Sequence, residues 1–133
     1  MTKKLLLVTN NGRAMEVYGA HSEIDVDYLE ERSYLEVLIR VRDLIHQGWH
    51  LMSHPQASNL KPNQSPYKTV LVSNGREAQP FAQDVEMVES GIEAFRKFTK
   101  GMAPPRWPER ALRDFQTIDL AVVESAMDRA LKF

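Results

Sequence analysis

The chain has 133 residues, the size of a single domain whose core needs neither disulfides nor a structural metal. Its 43% hydrophobic and 26% charged residues are typical of a soluble globular protein, and its net charge of −1 argues against a nucleic-acid or anionic-membrane partner. Because the chain has no cysteine, disulfides, thiolate zinc sites, iron–sulfur clusters and cysteine nucleophiles are excluded.

The first segment predicts a buried strand over residues 4–8, where an apolar run ends at the polar Thr9-Asn10-Asn11-Gly12. This run is shorter than the roughly 7–15 apolar residues of a signal-peptide core. No segment of the chain approaches the roughly 18 apolar residues of a membrane span. We therefore expect a soluble, cytoplasmic protein.

Three elements follow in the first half of the chain. A short helix is predicted over 13–20, with Met15, Val17 and Tyr18 as core contacts. Residues 24–29 alternate apolar and acidic side chains, which is typical of a strand with one solvated face. Ser33 and Glu36 form a capping-box pattern that predicts a helix from Ser33 to the stop at Gly48.

The second half begins with strands predicted over 49–53 and 68–73, separated by a polar loop. Asp84 is predicted to cap a helix that runs to about Lys100, and Asp119 to cap a final helix after a proline-rich break at 101–108. The two helices have similar sequences, and we expect them to pack on the same layer. An alternative is that they build a homodimer.

These elements predict a single α/β domain over residues 1–133, with a central sheet of about four strands covered by helices. The C-terminal part, about 84–133, is predicted to be helical.

The polar loop between the last two predicted strands is the candidate ligand site. Long polar loops in compact domains are often functional, and ligands of open α/β sheets collect outside the carboxyl ends of the strands. Lysines, amides and an imidazole at that edge suit a small anion such as a carboxylate or phosphate. The alternative is a rigid, proline-shaped loop whose polar groups satisfy its own backbone. The predicted ligand-binding residues are Asn10, Asn11, His54, Lys61, Asn63, Ser65, Tyr67 and Lys68.

Other chemistries receive less support. His46, His50 and His54 are spaced four apart, but Gly48 interrupts the helix that would align them, and in a strand His50 and His54 would stand about 13 Å apart. Ser53 and His54 are strand neighbours that point to opposite faces, so they cannot easily form a nucleophile–base pair. Phosphate-loop motifs are missing from the sequence. We expect neither a metal site nor a cofactor.

Five segments of the chain form a recognisable pattern: 8–11, 41–48, 51–55, 61–68 and 88–92. The most specific part is the stretch from the His-Pro pair at 54–55 to Pro-Tyr-Lys at 66–68. Together these segments resemble the GrdX family. The resemblance fades after about Phe95, so we expect the Pro-Pro-Arg-Trp-Pro segment at 104–108 and the last helix to be particular to this chain. GrdX proteins are encoded beside components of glycine reductase and related selenium-dependent amino-acid reductases. The resemblance implies that context, and it supplies no catalytic residues.

Two functional hypotheses result. The leading one is a non-catalytic accessory factor of glycine or amino-acid reductase metabolism, acting through reductase components as partners or through a small ligand at the 54–68 loop. The alternative is an enzyme that acts on a small anionic metabolite, with His54 as general acid or base and Lys61 and Lys68 holding the anion.

Overall fold

A computed structural model of the chain describes residues 5–56, 65–75, 80–102 and 105–131. These residues form one four-stranded sheet covered by helices, which confirms the predicted α/β fold. In chain order the elements are β1 (Leu5–Thr9), α1 (Gly12–Tyr18), β2 (Ile24–Tyr28), α2 (Tyr34–His46), β3 (His50–Leu51), β4 (Thr69–Ser73), α3 (Phe81–Thr99) and α4 (Glu109–Leu131).

The sheet has the order β2-β1-β4-β3 and is mixed. β1 runs parallel to β2 and antiparallel to β4, and β3 pairs antiparallel with β4. In this register Thr9 pairs with Tyr28 on one side and with Thr69 on the other. The end of the sheet that contains these three residues is called the carboxyl edge below, because β1 and β2 both end there.

The helices cover both faces of the sheet. Because alternate strand residues point to opposite faces, Leu7 and Leu71 pack against α4, whereas Val8 and Val70 pack against α2. The contacts of α3 are with α2 and β3, while those of α4 are with β4 and α1. The prediction that the two similar C-terminal helices share a layer is therefore wrong. Each covers a different apolar face.

Two predicted helix starts are also wrong. α3 begins at Phe81, three residues before Asp84, and α4 begins at Glu109, ten residues before Asp119. Both carboxylates bind side chains on other elements instead of capping their own helix. Asp84 Oδ2 lies 3.3 Å from Nδ1 of His50, and Asp119 accepts a hydrogen bond from Thr69. An aspartate suits either role, so sequence alone favours the cap.

The helix over 13–20 is confirmed as α1, but its predicted core contacts are only partly right. Met15 and Val17 are 43% and 56% exposed, while Ala14 is fully buried and Tyr18 packs against the core. A helix of seven residues buries one narrow face, and Ala14 occupies it.

The start and the end of α2 agree with the prediction. The side chain of Ser33 accepts a hydrogen bond from the Glu36 N–H, and the Glu36 carboxylate accepts one from the Ser33 N–H. Past the end of the helix, Gly48 has a φ of +104°, a left-handed conformation that favours glycine. None of the helices in the described ranges combines the length and the apolar character that crossing a membrane would need.

Candidate functional site

A group of buried and partly buried polar side chains occupies the carboxyl edge of the sheet. It is called the polar cluster below and consists of Thr9, Asn10, Asn11, Tyr34, Lys68, Thr69 and Asp119. Hydrogen bonds within it connect the end of β1 to the start of β4 and to the middle of α4.

A chain of hydrogen bonds runs through the cluster toward Asp119. The Asn11 N–H donates to Oγ1 of Thr9 at 2.9 Å, and Oγ1 of Thr9 lies 2.7 Å from that of Thr69. The Thr69 hydroxyl donates to the carboxylate of Asp119. An ionised carboxylate can only accept hydrogen bonds, so with Asp119 charged the hydroxyl of Thr9 donates to Thr69 and every member of the chain is oriented.

Asn10 holds two loops beside the cluster. Its Oδ1 accepts the Lys68 N–H at 2.8 Å, and its Nδ2 donates to the carbonyl oxygens of Arg32 and Pro66, each at 2.9 Å. The segment that leads into β4 and the turn that leads into α2 are therefore both fixed by one buried amide.

Asn11 connects α1 to α4. Its Oδ1 caps α1 by accepting the Arg13 N–H at 3.0 Å. Its Nδ2 donates to the Gln116 carbonyl and to the Asp119 carboxylate, both at 3.0 Å. The start of one helix is thus positioned against the middle of the other.

Lys68 is the most unusual member of the cluster. The residue is 3% exposed, and its Nζ lies 5.4 Å from the ring centroid of Tyr34. Among the described residues, nothing forms a hydrogen bond or an ion pair with this ammonium group. Burial lowers the pKa of Lys68 to about 8, although the charge of Asp119 acts in the opposite direction.

The other titratable groups of the cluster respond to the same burial. Burial raises the pKa of Asp119, while the hydrogen bonds from Thr69 and Asn11 and the charge of Lys68 act to lower it. Burial raises the pKa of Tyr34 to about 12, with a further contribution from Asp119. Perturbed pKa values of this kind occur often at functional sites.

The structure brings together some of the predicted ligand residues. Asn10, Asn11 and Lys68 belong to the polar cluster, and the buried hydroxyl of Ser65 accepts the Tyr67 N–H at 3.3 Å nearby. Burial raises the pKa of Tyr67, with a smaller contribution from Tyr28. The predicted residues Lys61 and Asn63 lie outside the described residues.

His54 is separate from the cluster in its hydrogen bonding. It is exposed, and its Nδ1 accepts the Gln56 N–H at 3.0 Å. The other two histidines of the four-residue spacing lie on different elements: His46 is in the last turn of α2, and His50 pairs with Asp84. Over the part of the chain that is described, no group of three or more His, Asp or Glu side chains could hold a metal ion.

A cleft of about 430 Å³ opens beside the cluster, between α1, α4 and the end of β2. It is called the arginine cleft below and is lined by Gly12, Arg13, Met15, Glu16, Tyr28, Arg113 and Gln116. Asn11 forms part of its support, since this amide binds both α1 and α4.

Three members of the cluster were not predicted as site residues: Tyr34, Thr69 and Asp119. The position of Asp119 in the sequence could have identified it as a site residue. It lies four residues before the buried Val123 and seven before the buried Ala126, so it is on the apolar stripe of the helix. An acidic side chain on the apolar stripe of a helix is rarely buried without a partner. Tyr34 and Thr69 carried no such signal, since both residue types are common at helix starts and in strands.

A family model described as GrdX-like protein matches residues 6–128. The chain belongs to the GrdX-like protein family. Comparison with curated proteins and with solved structures finds no match. The family match includes α3 and most of α4, so the expectation that the last helix is particular to this chain is wrong. The polar cluster of this GrdX-like chain, including Asp119, therefore lies within the matched region.

Proposed function

We propose that this GrdX-like protein is a non-catalytic accessory factor of glycine or amino-acid reductase metabolism, and that it binds a small anion at Lys68, at the end of the 54–68 loop. The metabolic context follows from the GrdX resemblance. The ligand class follows from the chemistry of the polar cluster.

The buried ammonium of Lys68 is the observation that carries the proposal. Removing a charged group from water is costly unless hydrogen bonds and an opposite charge replace the lost solvation. Asn10 binds the Lys68 backbone, and Tyr34 provides a ring face, but no described residue accepts a hydrogen bond from the ammonium. A bound carboxylate or phosphate would supply such an acceptor together with a negative charge.

The rest of the cluster supports a binding role more than a catalytic one. The hydroxyls of Thr9 and Thr69 and the amide of Asn11 are already used in hydrogen bonds to each other and to Asp119. These interactions fix the backbone around Lys68. A preorganised cation of this kind binds an anion at a lower entropic cost than a mobile surface lysine does.

A thermal-shift panel of glycine, acetyl phosphate and adenosine monophosphate tests the ligand. A compound that binds the native state at a hundred times its dissociation constant should add about 2.7 kcal/mol to the free energy of unfolding. We expect Lys68→Met to abolish this gain. Lys100→Met, which removes an exposed lysine, should preserve it. A flat response of the wild type to every compound, or equal responses of wild type and Lys68→Met, would contradict the binding role.

Affinity purification from the native cell tests the partner. If the accessory role is correct, tagged protein should recover components of an amino-acid reductase. Recovery of no reductase component would remove the metabolic part of the proposal and leave the ligand part to its own test.

The alternative hypothesis, an enzyme with His54 as general acid or base, has a separate test. The exposed ring of His54 uses one nitrogen in a local turn, so His54→Ala should fold with a melting temperature close to that of the wild type. Loss of a measured activity in this variant would favour the enzyme.

A further inference from the structure

The arginine cleft is large enough for a small ligand, and its lining residues come from several elements of the fold. Its volume of about 430 Å³ falls within the roughly 300–1,000 Å³ that is usual for small-molecule pockets. Three elements contribute to it: the first turn of α1, the first half of α4 and the last residue of β2. None of its lining residues belongs to the predicted loop site or to the polar cluster.

Two guanidinium groups dominate the charge of the cleft. Arg113 Nη1 lies 3.7 Å from Glu109 Oε1, but both side chains are exposed, and such pairs contribute little to stability. Within the described ranges, the Arg13 guanidinium takes part in no ion pair or hydrogen bond. Both groups can therefore turn toward a ligand. The planar fork of arginine matches carboxylate and phosphate oxygens in pairs.

Contacts beneath the cleft hold its walls in place. Asn11 caps α1 through the Arg13 N–H and donates to the Gln116 carbonyl on α4, so it fixes the two helix segments that carry the arginines. A Cβ atom at Gly12 would lie 2.9 Å from Oη of Tyr28. Glycine thus allows the phenol to lie against the first turn of α1, where it can donate a hydrogen bond into the cleft.

We propose that the arginine cleft binds an organic oxyanion, either a carboxylate or a phosphate monoester, between the guanidinium groups of Arg13 and Arg113. Glu16 at the rim lowers the local positive charge and offers an acceptor for a hydroxyl or ammonium group of the same ligand. Tyr28 and Met15 contact its carbon skeleton. This site is distinct from the anion site proposed at Lys68.

Calorimetric titration at constant ionic strength tests the proposal with three probes: succinate, glycerol 3-phosphate and inorganic phosphate. We expect at least one to bind with a Kd below about 1 mM, and Arg13→Gln and Arg113→Gln each to weaken it about tenfold or more. Binding of succinate alone would identify a carboxylate site, and binding of the two phosphorus compounds alone a phosphate site. Either result supports the proposal, whereas no binding by any probe overturns it.

Two control variants separate this site from general charge and from Lys68. Arg110→Gln removes an exposed arginine of α4 that does not line the cleft, and Lys68→Met removes the cation of the polar cluster. Arg110→Gln should leave the Kd of the cleft ligand within about twofold of the wild-type value. Lys68→Met removes the other proposed anion site, so the binding that remains in this variant is that of the cleft. If Arg110→Gln and Arg113→Gln weaken binding equally, the loss of affinity is explained by surface charge alone, and the proposal is overturned.

Amide chemical shifts locate the bound probe independently. The largest changes in a ¹H–¹⁵N spectrum are expected at Gly12, Arg13 and Gln116. Changes confined to residues 65–69 would place the anion at Lys68. That result would overturn the cleft proposal and support the proposed function, so failure of one is distinguishable from failure of the other.

Discussion

Burial removes the ammonium group of Lys68 from water, and this loss of solvation lowers its pKa to about 8. The ordinary lysine pKa is 10.5, so the folded protein releases this proton at a lower pH than the unfolded chain does. Between these two values the unfolded state binds more protons. Stability must therefore rise with pH through this window.

The predicted effect of Lys68 is a rise of about 2 kcal/mol in the free energy of unfolding between pH 7.5 and 9.5. Denaturant titrations across this range measure it, with Lys68→Met as the reference. The upper limit stays below the ordinary tyrosine pKa of 10.0, and the Lys68→Met reference corrects for the tyrosine ionisation that occurs within the range. The free energy of unfolding of Lys68→Met should not show this rise, and the rest of its pH dependence should match that of the wild type. Parallel curves for the two proteins would mean that the ammonium is solvated in solution.

Single residues also show how much of the site could be predicted from the sequence. Asn10 and Asn11 were predicted as site residues because they follow the first strand, and the structure places both in the polar cluster. Lys68 was predicted from the loop composition, but the sequence does not reveal that its ammonium group lies over the ring of Tyr34, which is far away in the chain. Asp119 was assigned as a helix cap because local sequence cannot reveal a hydrogen bond from Thr69, a strand residue 50 positions earlier.

At the scale of the elements, α2 is the helix that the sequence predicts best, because its start is encoded locally. The capping box of Ser33 and Glu36 needs four consecutive residues and no tertiary partner. α4 is the opposite case. It begins at Glu109, after a proline-rich segment, and Asp119 and Gln116 connect its middle to β4 and to Asn11. No local pattern specifies those contacts.

The cap of α2 gives the prediction at this scale. Ser33→Ala removes the acceptor of the Glu36 N–H and should cost about 1 kcal/mol of unfolding free energy. Ser90→Ala is a matched control, since Ser90 is exposed in the middle of α3, where alanine is the better helix former. It should be neutral or slightly stabilising. Equal losses in the two variants, measured by urea denaturation, would show that the cap contributes nothing specific.

At the scale of the whole molecule, one sheet of four strands serves as the shared core of two helical layers. β1 and β4 are central, and their alternating side chains enter both layers. α3 and α4 therefore have similar sequences because each helix buries an apolar stripe, one on each side of the sheet. A substitution that destabilises the packing on one face should also destabilise the other face, because the same two strands support both.

Two tryptophans make this coupling measurable. Trp49 packs against the α2 face of the core, and Trp107 lies edge-on to Phe115 of α4, with ring centroids 4.8 Å apart. In single-tryptophan variants, fluorescence from either side should report the same urea midpoint, as in a two-state domain. Leu71→Ala, a truncation on the α4 face, should cost about 2–5 kcal/mol and lower both midpoints equally. Val17→Ala, at a largely exposed position, is the control and should leave both nearly unchanged. A fall in the Trp107 midpoint alone would mean that the two layers unfold separately.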